Sequence, residues 1–443
     1  MSVTLGIDIG TTKVAAVIYD TEQRNILSCA SKNTQADLDR GEWLSEQSVD
    51  KIFQALDEVM NSLETDHKKK VSAIGVTGQM HGVVLWNENE TSSLITWKDR
   101  RASGHKLIAE INRVSGAEQL KDGFGITSMA CLARENKLQN WTCAATIHDY
   151  LVYRICGLAR PVMDPGNAAS WGCFDVYNRG WDMKAIKELN IPETLLPEIV
   201  PSGAKAGCFD ADYAEKWDIP EGVPVTAALG DNQASILLSS DCPENEIYLT
   251  LGTGAQLTVV VDKEDLLELE MTPAMEIRPY VEGRYIAVAA PLCGGQAFAW
   301  LADTVQCWLK ELGLPELPEY ELFRKLDALG VNGDSASLDV KPNFIGERHA
   351  PELTGSIDKI SLDSFSLSNL AASLARGIVA NMKNMISPGL LVDKKCVIGS
   401  GNAVRRLNAI QKMIEQEFNL PLVVKESKEE AACGAAILSA KVE

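Results

Sequence analysis

The sequence predicts an α/β protein made of two related domains. Its 443 residues exceed what one hydrophobic core ordinarily organises. The run Val3 to Thr12 is an apolar strand entering a glycine-containing turn, and Val14 to Tyr19 resumes the β-branched pattern, which reads as a hairpin. The same arrangement returns at Ile247 to Val259, where an apolar strand, Gly252-Thr253-Gly254 and a second apolar strand follow one another. Similarity at so long a spacing indicates duplicated domains and not a short-repeat solenoid. The boundary is expected near Ser239 to Glu244, which contains Asp241, Cys242 and Pro243.

The remaining elements follow in order. A hairpin after Gly10 excludes a Rossmann or Walker phosphate loop, since both need a helix directly after the glycines. Ser48 to Leu63 is amphipathic at helical spacing, and Val71 to Thr77 is a buried strand ending in Gly78-Gln79-Met80-His81-Gly82. Val83 to Trp86 is a further strand; Leu132 to Leu138 and Thr146 to Ile155 are helical. Val225 to Leu229 is a strand that runs into Gly230-Asp231. In the second half, Leu367 to Met385 is a long helix. Cys396 to Ile398 is a strand before Gly399-Ser400-Gly401-Asn402-Ala403, and Val404 to Phe418 and Glu429 to Ala440 are helices. The small residues of the last run suit close backbone packing.

Composition narrows the classes. Hydrophobic residues at 46% and charged residues at 23% describe a packed chain. With 42 basic and 61 acidic residues the formal charge is −19, which repels nucleic-acid backbones and anionic membranes. No run approaches eighteen apolar residues, and Met1 to Ile9 reads as a strand and not a leader, so neither a membrane partner nor export is expected. Eleven dispersed cysteines without a CxxC pair fit buried thiols in a reducing, cytoplasmic compartment.

Phosphoryl transfer to an alcohol needs a base for the hydroxyl proton and compensation for phosphate charge. Asp231, at the end of a strand, serves either as such a base or as a helix cap. Asp8 either holds Mg²⁺ beside phosphates or satisfies turn N–H groups. Gly10, Thr11 and Thr12 form one small-residue turn and Gly252, Thr253 and Gly254 another. Met80 and His81 either contact a polyol or fill the interior. Trp97 and Asp99 in Trp97-Lys98-Asp99-Arg100-Arg101 suit sugar stacking and hydroxyl recognition, while Asp99 with Arg100 or Arg101 suits a structural salt bridge equally.

Taken in order, Leu5 to Thr12, Gly78 to Gly82, Trp97 to Arg101, Leu229 to Ala234, Leu251 to Gly254 and the Gly399 to Ala403 turn resemble the FGGY carbohydrate kinase family across the whole chain. The resemblance implies two actin-like, ribonuclease-H-like domains with an interdomain active-site cleft: 1–241 for the sugar and 242–443 for the nucleotide. It implies Asp231 as general base, Asp8 as the Mg²⁺ residue, and Met80, His81, Trp97, Asp99 and Asp231 around the sugar. Thr11, Thr12, Gly252 and Thr253 are implied at the phosphates of ATP, and Gly399, Gly401 and Asn402 beneath its adenosine. The segments Gly123 to Gly125, Ala145 to Tyr150 and Asn167 to Gly172 imply sedoheptulose as acceptor, phosphorylated at its terminal hydroxyl, with a ketopentose as the other reading. Arg100 departs from the family's Trp-x-Asp-Gly-Arg loop, where glycine is frequent. A nucleotide-dependent regulatory protein of actin-like fold is the non-enzyme alternative.

Overall fold

The computed structural model describes residues 3–117, 119–239, 242–252, 254–267, 269–425 and 429–442. The chain forms two compact units. The first is Met1–Ser240 with Arg278–Gly283 and Ser427–Glu443, and the second is Asp241–Ile277 with Arg284–Glu426. By contact, a short segment and the last helix return to the first unit, so the units are not contiguous in sequence. Small residues on that helix explain the return, as described below.

In the first unit, β1 (Val3–Ile9) and β2 (Lys13–Asp20) form the expected hairpin, followed by β3 (Asn25–Asn33). Helix α1 (Val49–Ser62) is capped by Ser48, whose hydroxyl accepts the Lys51 N–H, and it buries Ile52, Leu56 and Val59 along one face. Then come β4 (Val71–Gly78), α2 (Gly125–Arg134), α3 (Ile147–Ile155) and α4 (Pro165–Trp171). Strands β5 (Lys205–Cys208), β6 (Pro224–Thr226) and β7 (Leu229–Gly230) precede α5 (Asp231–Ser239). The sheet order is β5-β6-β4-β1-β2-β3, with β7 also paired to β4. Strands β1, β4, β6 and β7 run parallel, whereas β2 pairs antiparallel with both β1 and β3. β1 and β2 are buried almost throughout, as a sheet covered on both faces requires.

The C-terminal helix Glu430–Ser439 lies directly on this sheet. A Cβ at Gly6 would collide with the Ala432 carbonyl, one at Gly75 with the Ala435 carbonyl, and one at Gly434 with the Ala234 carbonyl of α5. The alanine- and glycine-rich sequence thus lets one helix touch β1, β4 and α5 at backbone distance. A separate apolar cluster, including Leu85, Ile126, Met129 and Trp171, supports the residues between β4 and β5.

In the second unit, β8 (Glu246–Leu251) and β9 (Ala255–Val261) repeat the hairpin. β10 (Met275–Pro279) and β11 (Tyr285–Ala289) follow, then α6 (Gln296–Glu311), α7 (Glu319–Asn332) and α8 (Leu367–Met385). β12 (Cys396–Ser400), α9 (Asn402–Arg406), α10 (Asn408–Phe418) and β13 (Leu422–Val424) end the unit. Its order, β10-β11-β9-β8-β12-β13, contains the same 3-2-1-4-5 arrangement as β3-β2-β1-β4-β6, with the second strand antiparallel in each.

Two helices differ from expectation. The stretch expected to be helical from Leu132 begins earlier, at Gly125, and stops at Arg134 ahead of Asn136, which adopts a left-handed backbone. The continuous helix expected over Val404 to Phe418 breaks at Leu407. Asp327, far away on α7, accepts the Ala409 N–H (2.8 Å) and the Asn408 side-chain amide (2.9 Å), capping a new start. All eleven cysteines are free thiols, but Cys29, Cys208, Cys242 and Cys307 are exposed and not buried. No helix among the described residues is long and apolar enough to cross a membrane.

Gly6→Ala should destabilise the chain by about 1–3 kcal/mol, because a helix carbonyl occupies the added methyl's space. Gly180→Ala, with nothing within 4 Å of the added atom, should change stability by less than about 0.5 kcal/mol. Urea midpoints of the two variants provide the comparison.

Candidate active site

Three parallel strands of the first unit end together. Asp8 on β1 is level with Thr77 on β4, and Thr77 is level with Leu229 on β7. Asp231 comes two residues later as the first residue of α5. Two strand spacings of about 4.8 Å put the backbones of β1 and β7 roughly 10 Å apart. Between Val225, level with Ile74, and Leu229, level with Thr77, the chain takes four steps against three, so it bulges. Side-chain and backbone bonds hold the bulge: the Asn167 amide donates to the Ala228 carbonyl (3.1 Å), and the Ala227 N–H to the Ala204 carbonyl (2.8 Å).

Both carboxylates are held above their usual range. Asp8 is pushed up to about 7, first by burial, then by the negative charges of Asp231 and Glu429, with Lys13 opposing. Its Oδ1 is buried without a hydrogen-bond partner. Burial also raises Asp231, to about 6; the Asn232 N–H (2.7 Å to Oδ1) and the Arg278 charge pull it down. Asp231 stands at a helix N-terminus and keeps a carboxyl raised by burial. Lys13 is gripped by Glu429 through bonds of 2.6 and 2.8 Å.

The other first-unit residues separate by how fully they are engaged. The Trp97 indole N–H donates to the Thr11 hydroxyl (2.9 Å), which donates to Gln79 Oε1 (3.3 Å). Gln79 donates to Gln47 (3.1 Å), and Gln47 donates to the Thr11 carbonyl (2.7 Å). Thr11 thus fastens the hairpin to the Trp97 loop, while Thr12 is exposed. Met80 is buried, its sulfur accepting from Arg278 Nη1 (3.6 Å). His81 has φ 71°, donates from Nδ1 to the Ser170 carbonyl (2.7 Å) and stacks on Phe124 at 4.8 Å. Asp99 is fully occupied by Arg101 Nε (2.7 Å), Arg101 Nη2 (3.0 Å) and the N–H groups of Arg101 (3.0 Å) and Ser45 (2.9 Å). Its structural salt bridge is with Arg101; Arg100 is exposed and lies over Trp43 at 5.5 Å.

In the second unit, three glycine turns meet at one end of the sheet. The Gly252 N–H donates to the Gly254 carbonyl (3.0 Å), and the Gly295 N–H to the Gly252 carbonyl (2.9 Å). Gly401, at φ 89°, would place a Cβ against the Leu251 carbonyl, and a Cβ at Gly294 would strike Gly254. Gly399 is buried in β12, whereas Asn402 is exposed at the start of α9. Thr253 lies outside the described residues. Side chains are excluded here by contact, leaving a surface of backbone groups suited to phosphate and nucleotide.

Residues 3–237 match the N-terminal domain of the FGGY family of carbohydrate kinases. The chain belongs to that family. Human sedoheptulokinase is 31% identical over 470 residues, covering 98% of this chain and 97% of the relative; the mouse protein is 30% identical over 467 residues. A xylulose kinase from Rhodospirillum rubrum has the same fold, with a TM-score of 0.85 at 20% identity over 99% of this chain and 89% of that one. Plasmodium falciparum glycerol kinase with ADP gives 0.79 at 19%, over 99% and 89%. The protein is an ATP-dependent carbohydrate kinase of two-domain, actin-like fold, acting on a sugar and a nucleotide.

Within Ala145 to Tyr150, Asn167 to Gly172 and Leu229 to Ala234, sequence reasoning did not single out the buried polar side chains. His148 is wholly buried, and burial lowers it to about 4, with the Asn167 side chain opposing. Asp149 Oδ1, Asn167 Oδ1 and both polar atoms of Gln233 are buried without partners. Arg278, Gly294 and Gly295 were also missed. The Gly-Gly pair before α6 was a readable turn signal, but nothing local marked Arg278.

Since folding raises the Asp8 pKa from 3.8 to about 7, the folded state binds that proton more tightly than the unfolded state. Its contribution is complete below 3.8 and is lost as pH rises through about 7. Asp8→Asn should therefore raise the free energy of unfolding, and with it Tm, relative to the parent near pH 8, by up to about 4 kcal/mol, with the gain gone near pH 4. Asp99→Ala should instead cost about 3–5 kcal/mol, because it leaves the buried Arg101 without its main partner. Thermal scans and urea denaturation, without nucleotide or Mg²⁺, measure these effects.

Proposed function

We propose that this kinase phosphorylates sedoheptulose, giving sedoheptulose 7-phosphate and ADP, with Asp231 as general base. The observation that carries the base assignment is a carboxylate at a strand end and helix start, raised by burial to about 6 yet ionised at neutral pH. Such a group accepts a proton without being permanently neutral. The sugar alcohol gives its proton to Asp231 as its oxygen bonds to the γ-phosphorus; the bond from that phosphorus to the bridging oxygen breaks, and ADP departs. Full-length similarity to the human and mouse sedoheptulokinases supports the choice of ketose.

On this reading, residues 1–241 hold the sugar and residues 242–443 the nucleotide. Met80, His81 and Trp97 line the sugar side with Asp231. Asp99 acts there by fixing the Trp97 loop, since its own oxygens are engaged. Thr12 and the turns containing Gly252, Thr253, Gly399, Gly401 and Asn402 serve the nucleotide, and Thr11 orders the first hairpin.

Asp8 suits Mg²⁺: a buried oxygen without a partner is a hard ligand, and one carboxylate together with phosphates and water is a usual Mg²⁺ set. Bound there, the ion would compensate phosphate charge. It would also offset the repulsion that raises Asp8. We place the protein in the cytoplasm, where ATP is supplied and its free thiols stay reduced.

Turnover with sedoheptulose, D-xylulose and D-ribulose, with product-position analysis, tests the substrate. Sedoheptulose should show the highest kcat/KM and yield the 7-phosphate; a ketopentose preferred over it overturns that choice. Asp231→Asn should lower kcat by roughly a hundredfold or more while nucleotide affinity changes little. Near-parental turnover in this variant, at saturating sugar, removes Asp231 as base.

A further inference from the structure

The linker between β11 and α6 has no regular pairing, so its N–H groups need partners from elsewhere in the second unit. Two of them are held by different parts of the chain. The Gly295 N–H donates to the Gly252 carbonyl (2.9 Å), and the Leu292 N–H donates to Glu347 Oε2 (3.0 Å). Between these bonds the linker presses on the β8–β9 hairpin. A Cβ at Gly294 would lie 2.5 Å from the Gly254 carbonyl, and one at Gly295 would lie 2.3 Å from the Gly252 carbonyl.

Glu347 is firmly placed to hold its end of the linker, and it is 1% exposed. Gly346, at φ 73° and with its Cβ position 2.5 Å from the Pro351 carbonyl, makes the tight turn before it. Paired backbone bonds with Ala350, each 3.1 Å, fix Glu347 itself. Its Oε1 accepts from the side-chain amides of Asn343 and of Asn381 on α8, both at 3.0 Å, which leaves Oε2 for the linker. From the same loop, Phe344 packs on Trp300 of α6 with ring centroids 4.4 Å apart. A buried carboxyl is a costly way to close a core, since apolar side chains do so without loss of hydration. What it adds is a directed acceptor for one linker N–H.

We infer that Glu347 is a positioning residue for the nucleotide. By holding the Leu292 N–H it sets the Gly294-Gly295 turn, and through that turn the hairpin at Gly252 and Gly254, where phosphate oxygens are received. The inference rests on these turns serving the nucleotide, as proposed above. It also ties the cradle to α8 through Asn381, so that one carboxyl joins the helical core of the second unit to the turns at its sheet end.

Calorimetric titration of the full chain with ADP and Mg²⁺, without sugar, tests this beside steady-state kinetics. E347M keeps much of the side-chain length but offers the linker no carboxyl oxygen. E347Q keeps one oxygen for Leu292, while the asparagine amides turn over to accept its NH₂. E347M should weaken ADP binding about tenfold or more and raise the KM for ATP in step, with the ketose KM within about twofold of the parent. E347Q should bind ADP within about threefold of the parent. Parental ADP affinity in folded E347M, an equal rise in the ketose KM, or an E347Q as weak as E347M overturns the inference. Should E347M not fold, E347D replaces it: the shorter side chain gives up the linker while keeping its carboxyl at the asparagines. It should weaken ADP at least about threefold, and parental affinity there overturns the inference equally. G252V separates this result from the reading beneath it. Among the described residues nothing beyond its chain neighbours lies within 4 Å of a Cβ at Gly252, so the fold accepts one, and the added methyls would oppose a phosphate at the turn. Parental ADP affinity in G252V defeats the cradle reading itself; weakened ADP in G252V with parental affinity in E347M defeats only the role of Glu347.

Discussion

Two like-charged carboxyls at one end of one sheet set the main constraint on this protein. Asp8 and Asp231 are both poorly solvated, and each stands where backbone pairing leaves little freedom to move away. Removing water and adding a neighbouring anion both favour the protonated acid. The surroundings then counter this unequally. Asp231 receives the Asn232 N–H, the start of a helix and Arg278, whereas Asp8 has Lys13, itself bound by Glu429. Both carboxyls are raised above their usual range, Asp8 by burial and then by the charges of Asp231 and Glu429, Asp231 by burial. A nearby cation would relieve the charge on the second carboxyl.

The second unit solves a different problem with different residues. Where the first half uses side-chain charge, the second uses close backbone packing: Gly252 against Gly295, Gly254 against Gly294, Leu251 against Gly401. Any Cβ at Gly294, Gly295 or Gly401 would occupy the backbone of a neighbouring turn. The two sheets share strand order and hairpin, and the carboxyls raised by burial, Asp8 and Asp231, belong to the first. Duplication supplied the frame, and divergence of the turn residues separated charge from cradle.

What could be read from residues alone was whatever repeats or ends locally. Both hairpins, the Ser48 cap, the strand before Asp231 and the long helix Leu367–Met385 announce themselves through periodicity and turn chemistry. The break at Leu407 did not, because its capping carboxylate, Asp327, comes from another helix. The return of the last helix to the first sheet was hidden for a similar reason. Small residues indicate that something packs closely, but Gly6 and Gly75 lie hundreds of positions from Ala432 and Ala435. Arg278 to Gly283 is the extreme case, since this segment lies within the second unit's stretch of sequence yet packs with the first.

Asp99 and Asp231 show how burial alone fails to identify function. Both looked equally suited to a polar site in the sequence, and both are carboxylates in short loops beside strands. Asp99 is 1% exposed and receives four donors, two of them from the guanidinium side chain that it orders. That saturation makes it a clamp, with no lone pair in a geometry left for chemistry. Asp231 is less deeply enclosed by side chains, and its carboxyl is raised by burial, with the Asn232 N–H and Arg278 opposing. The same distinction separates Thr11, whose hydroxyl is used up between Trp97 and Gln79, from the partnerless oxygen of Asp8. Incomplete satisfaction at the ends of strands is what sets Asp8 and Asp231 apart from Asp99 and Thr11, and it supports reading them as the residues that act.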